Sequence, residues 1–132
     1  MNEITQSFDL DQVEAHMLTL PAVECPVEHL FGPNIYIRQV FMPKGAYVIG
    51  HEHKLESINM VLSGSLALIE GGAVRVVEAP YFFVGKAGRK IAYVIEDCVF
   101  QNIFSTPETD IDKLEEMIVV KSNAFLELEG AK

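Results

Sequence analysis

From Ile35 onward the chain sets short apolar runs between clusters of turn residues, a pattern that predicts strands rather than helices. The runs cover 35–42, 47–53, 57–62, 66–70, 73–78, 81–84, 91–95 and 99–104. Their breaks are Pro43-Lys44-Gly45, Ser63-Gly64, Gly71-Gly72 and Gly85-Lys86-Ala87-Gly88, which supply the residues that tight connections need. Gly71-Gly72 is the clearest hairpin signal. So many short strands in succession predict an all-β barrel or sandwich.

The flanks read differently. Residues 7–20 predict a short helix or turn, with Phe8, Val13 and Met17 at mixed spacing. Pro21, Pro26, Gly32 and Pro33 then predict an extended edge segment, in which His29 has no partner in sequence. After residue 104 the period switches: Thr106 is placed to cap a helix, Pro107 suits its first turn, and Leu114, Met117 and Ile118 form an apolar stripe opposite Asp112, Glu115 and Glu116. A last apolar run at 124–128 reads as a final strand or an arm docking on a second subunit. The domain is therefore read as one unit over 1–132, with a barrel core at about 35–104, an N-terminal extension at 1–34 and a C-terminal helix and arm at 105–132.

Charge narrows the partners. The formal net charge is −9, which repels nucleic-acid phosphate and anionic lipid, and no run of basic residues overrides it. Neither nucleic acid nor membrane is an expected partner. Lys86, Arg89 and Lys90 nevertheless crowd into one short turn, where a small anion would be attracted. Cys25 and Cys98 match neither a redox pair nor a zinc knuckle and read as ordinary thiols at a loop or strand edge. No apolar run reaches membrane-spanning length, and the acidic N-terminus does not read as a secretion signal, so the expected location is the cytoplasm. The extended N-terminal segment and the arm at Phe125 to Leu128 are long enough to reach a second copy, so a homodimer is expected.

The chemistry concentrates at Gly45-Ala-Tyr-Val-Ile-Gly-His51-Glu-His53-Lys-Leu-Glu56. Two histidines one residue apart on a strand project to one face, where they could hold a metal ion if a third donor such as Glu56 joined them. In a barrel the same alternation turns His51, His53, Ser57 and Asn59 inward. Lys90 should face them from across the barrel, with Asn102 or Gln101 from the last strand and a lining of Tyr47, Val61 and Phe100.

The spacing of Gly45, His51, His53 and Gly64 resembles the first motif of the cupin superfamily, over about residues 35–104. The resemblance implies a double-stranded β-barrel, a jelly roll, with an open metal site. It places the motif's usual carboxylate at Ser57, with Glu56 one residue early, and a one-residue offset on a strand changes the face. The second cupin motif aligns with Ala79, Gly85, Ala87 and Lys90, so that lysine stands where that motif has histidine. The chain is also similar to short single-domain cupin-like proteins of bacteriophages and prophages. Three readings follow. The first is a small-molecule-binding protein in which His51, His53, Ser57, Asn59, Lys90 and Asn102 hold a small anionic or polar ligand. The second is a metal-dependent isomerase, lyase or dioxygenase using His51, His53 and Glu56 with iron, manganese, nickel or zinc. A metal-free isomerase or lyase is the third, with a histidine as base and Lys90 stabilising an oxyanion.

Overall fold

The computed structural model describes residues 15–16, 19, 23–70 and 73–122. Among them are nine strands: Val27–Gly32 (β1), Ile35–Met42 (β2), Tyr47–Ile49 (β3), Glu52–His53 (β4), Ser57–Glu70 (β5), Ala73–Glu78 (β6), Tyr81–Gly85 (β7), Ile91–Ser105 (β8) and Val119–Val120 (β9). One helix, Ile111–Ile118 (α1), lies between β8 and β9. The helix or turn expected at 7–20 lies largely outside the described residues, as do Gly71, Gly72 and the arm at 124–128.

Two long antiparallel strands, β5 and β8, organise the barrel, in register from Ile58 opposite Ile103 to Ile69 opposite Ile91. Each changes its outer neighbour halfway. The second half of β8 pairs with β2 and the first half with β3, while β5 pairs first with β7 and then with β6. One wall is therefore β1-β2-β8-β5-β7 and the other β3-β8-β5-β6, which is the all-β double-stranded barrel that the resemblance implied. The strands expected at 57–62 and 66–70 are one strand, as are those at 91–95 and 99–104.

Ser63-Gly64 is consequently a bulge within β5 and not a turn between strands. The register slips between Val61 and Ser63, again before Ser65, and once more before Leu66. Gly64 has φ +81°, and a Cβ there would run into the backbone carbonyl of Asp97, so only glycine lets the two long strands cross this closely.

The barrel is filled by Val40, Met42, Val61, Leu66, Leu68, Val94 and Cys98, with Val61, Leu66, Val94 and Cys98 fully buried. Cys98 is thus a core residue in mid-strand rather than an edge thiol, and burial pushes its pKa up to about 11. A second cluster of Tyr36, Phe104, Leu114 and Ile118 joins α1 to one end of the barrel. Thr106 does not cap this helix. Its hydroxyl accepts the backbone N–H of Glu108, and Asp110 is the N-cap, its carboxylate accepting from the N–H groups of Asp112 and Lys113. With the start at Ile111, Leu114 and Ile118 face the barrel one turn apart, whereas Met117 is exposed.

Candidate functional site

Strand register alone assembles much of the site. His29 of β1, Arg38 of β2, Asn102 of β8, Asn59 of β5 and Phe83 of β7 stand opposite one another in a single row. Their parity matches that of the buried Tyr36, Val40, Val61 and Phe104, so the row faces the cavity, with Asn59, Phe83 and Asn102 buried and His29 and Arg38 at its exposed end. A polar belt therefore crosses the wall between two apolar rows. Asn59 is its centre: its Oδ1 accepts from the Asn102 amide at 2.8 Å and from the Ser57 hydroxyl at 2.9 Å. All three are buried. Gly85, on the neighbouring strand, leaves room for them, because a Cβ there would overlap the Asn59 amide. Gln101 is not part of this belt. It points to the other face of β8, where its amide donates to Gln39 at 2.7 Å.

The histidines enter from the opposite side. The expected continuous strand 47–53 is interrupted between Ile49 and Glu52, and the interruption shifts the alternation by one. Val48 rather than Tyr47 then faces the cavity before the break, while His51 and His53 face it after the break. Tyr47, expected in the lining, is 63% exposed and packs on Tyr93. The backbone of His53 is gripped on both sides: its N–H donates to the Gly88 carbonyl at 2.9 Å and its carbonyl accepts from the Gly88 N–H at 3.0 Å, while β9 places Val119 on its other flank. Lys54 continues the grip, with its N–H on the Ile118 carbonyl and its ammonium on the Glu116 carbonyl, each at 2.7 Å. The C-terminal helix and β9 thus fix the histidine segment, a role that the sequence did not suggest for them.

Lys90 lies beside this segment and not across from it, since the Gly50 N–H donates to the Lys90 carbonyl at 3.1 Å. Its side chain lines the cavity, and the ammonium donates to the Lys86 carbonyl at 3.1 Å. The Arg89 Nε–H donates to the Gly50 carbonyl at 3.1 Å, tying the same loop down.

Together these residues enclose two adjoining chambers that share Arg38, Val40, Val48, His51, His53 and Asn102. The inner one, about 120 Å³, reaches Asn59, Lys90 and Phe100. The outer one, about 420 Å³, opens under α1 against His29, Tyr36, Phe104, Ile111 and Ile118. Here His29 does have a partner: its Nδ1 lies 2.7 Å from the Tyr36 hydroxyl. Burial, partly opposed by the Arg38 charge and helped by Glu115, leaves the Tyr36 phenol above the usual range. His53 is the most perturbed group. Burial, then the positive charges of Lys90 and Arg38, and last His51, hold its pKa down to about 4, so it is neutral at pH 7.

The cavity does not suit a metal ion. Glu56 is exposed while Ser57 takes the buried position, as the one-residue offset requires. Among the described residues no three His, Cys, Asp or Glu side chains come together as a metal-binding group. Two cations also stand beside His53, which a dication would have to oppose. Sequence reasoning missed Arg38, Tyr36 and His29. The available signal was the alternation of Tyr36, Arg38, Val40 and Met42 along β2, which puts a lone arginine on an otherwise inward face.

Comparison with protein-family models finds none that matches, and comparison with curated protein sequences finds no match. Solved structures do match. An RmlC-like cupin family protein with a double-stranded β-helix fold from Methanocaldococcus jannaschii aligns with TM-score 0.53 at 14% identity, over 64% of this chain and 83% of its own. KdgF from Halomonas sp. aligns with TM-score 0.53 at 19% identity, over 71% of this chain and 90% of its own. The Cupin_2 domain of an XRE family transcriptional regulator from Enterobacter cloacae aligns with TM-score 0.51 at 18% identity, over 64% and 98%. No helix among the described residues is long and apolar enough to cross a membrane. The architecture built up from β5 and β8 is therefore the cupin fold, the double-stranded β-barrel or jelly roll, with the short helix α1 packed at one end.

Proposed function

We propose that the chain is a cupin-fold binding protein for a small anionic molecule. The observation that carries this reading is the pair Arg38 and Lys90 on the cavity wall, beside the neutral amides of Asn59 and Asn102 and the imidazoles of His51 and His53. No aspartate or glutamate among the described residues lines the inner chamber. A carboxylate or phosphate entering it would gain two cations and several neutral donors in a partly dehydrated space, where charge-assisted hydrogen bonds are strongest. The acidic remainder of the molecule makes the selectivity local. The likeness to phage and prophage proteins rests on sequence resemblance and adds no ligand.

Calorimetric titration with acetate, succinate and inorganic phosphate tests this. At least one should bind, and Lys90→Ala and Arg38→Ala should each weaken it about tenfold or more, the usual worth of a hydrogen bond to a charged group. Both variants should keep the native circular dichroism. Unchanged affinity in both would end the proposal. A metal-dependent enzyme reading has the shared facing of His51 and His53 in its favour but finds no third ligand among the described residues. Near-stoichiometric iron, manganese, nickel or zinc in the purified protein, lost in His51→Ala, would restore it.

A further inference from the structure

We infer that the ligand is an amphipathic acid: a carboxylate carrying an unbranched or aromatic apolar body of roughly six to ten carbons, the size class a cavity of a few hundred cubic ångströms accepts. The inference rests on the anion-binding reading above and extends it through the shape of the cavity. The cations are confined to one end. Arg38 stands where the two chambers meet and Lys90 lines only the inner one. Beyond them the outer chamber widens to about 420 Å³, more than three times the inner volume, and apolar side chains line much of its wall beside the polar groups at its rim.

Besides Phe104 of β8 and Val119 of β9, three parts of the fold supply that wall. Val27 and Val40 come from the β1-β2 hairpin, Val48 and Ile49 from β3, and Ile111 and Ile118 from α1. The polar atoms on it are largely accounted for within the protein: His29 Nδ1 and the Tyr36 hydroxyl satisfy each other at 2.7 Å, and Glu115 is 3.2 Å from Lys121. A free sugar or a polyanion would strand its hydroxyls or charges against this surface, at a cost in desolvation. An aliphatic or aromatic body would instead remove apolar surface from water. An acid laid head inward thus matches both ends: charge at Arg38 and Lys90, hydrocarbon under α1.

The sequence also provides a reporter. Cys25 lines the outer chamber and is half-buried, whereas Cys98 is fully buried in the core. Alkylation of the folded protein should therefore fall on Cys25 first, and an occupant of the outer chamber should shield it.

The test is a calorimetric series of straight-chain acids from acetate to decanoate, with 1-octanol as the uncharged control and alkylation of Cys25 by N-ethylmaleimide as the positional readout. Affinity should rise about threefold or more per methylene until the chamber is filled. Octanol should bind at least tenfold more weakly than octanoate, and octanoate but not acetate should slow modification of Cys25. Ile111→Ser, a change on the partly exposed face of α1, should weaken octanoate severalfold and leave acetate unaffected. Acetate binding with no gain along the series would overturn this inference while leaving the anion-binding reading intact. Failure of every acid and of phosphate would overturn both. Equal binding of octanol and octanoate, or a Cys25 rate indifferent to octanoate, would also overturn it.

Discussion

At the scale of single residues, Gly85 and His53 have environments tight enough to predict what changing them does. Gly85 is required by Asn59 and not by backbone angles, since its φ is not among the positive values. Gly85→Ala should displace the Asn59 amide, break its bonds to Ser57 and Asn102 and cost on the order of 2 kcal/mol, read as a lowered urea midpoint with unchanged slope. Gly45→Ala meets no neighbour within 4 Å, so only its φ of +85° opposes it and the loss should be smaller. His53 gives a pH prediction. Its folded pKa of about 4 lies below the ordinary 6.5, so the unfolded chain takes up the proton first as pH falls. Its contribution is fully present above pH 6.5 and is lost progressively down to about pH 4. The loss should be about 1 to 2 kcal/mol, less than the full shift implies because solvent reaches the side chain. Denaturant titrations from pH 7 to pH 4 on the wild type and His53→Gln should differ in slope over that window. Parallel curves would show that the histidine is not held neutral.

Among the elements, α1 decides most. Its packing rests on Leu114, 1% exposed against Tyr36, Phe104 and Ile118, and its start on the Asp110 carboxylate. Leu114→Ala should cost about 3 kcal/mol and Asp110→Ala about 1 kcal/mol. Because α1 and β9 also hold the His53 segment, Leu114→Ala should weaken anion binding as well as stability, whereas a purely remote helix would affect stability alone. The apolar stripe at Leu114 and Ile118 was legible in the sequence. The capping residue was not, since Thr106 and Asp110 are both good caps and the choice depends on where β8 ends. Similarly, the turn chemistry of Ser63-Gly64 reads the same for a hairpin and for a bulge. Only the pairing of β5 with β8 along its whole length distinguishes the two.

For the molecule as a whole, the outer face of the β1-β2-β8-β5-β7 wall invites association. Leu30, Ile37, Ile103, Ile58 and Val84 stand in one register row on it, with Phe82 70% exposed in the next. We expect a homodimer through this face, where a continuous apolar row is otherwise left to water. The expected basis changes with the fold: β1 pairs with β2 of its own chain, and the arm at Phe125 to Leu128 lies outside the described residues. Sedimentation equilibrium should give a dimer at micromolar concentration and a monomer for Phe82→Glu with Ile58→Glu. A wild-type monomer would refute it.

What the sequence by itself determined is what local alternation and turn chemistry can encode: the strand class, the ends of β2 and β6, and the inward facing of His51, His53, Ser57 and Asn59. These depend on residues a few positions apart, and period-two projection carries them directly. The tertiary structure alone decided the rest. It merged four expected strands into β5 and β8, set Lys90 beside the histidines, and brought Arg38 level with Asn59 and Asn102 across three strands. Each of those facts is a register between segments far apart in the chain, fixed by bulges and by core packing, which leave no periodic trace in the sequence.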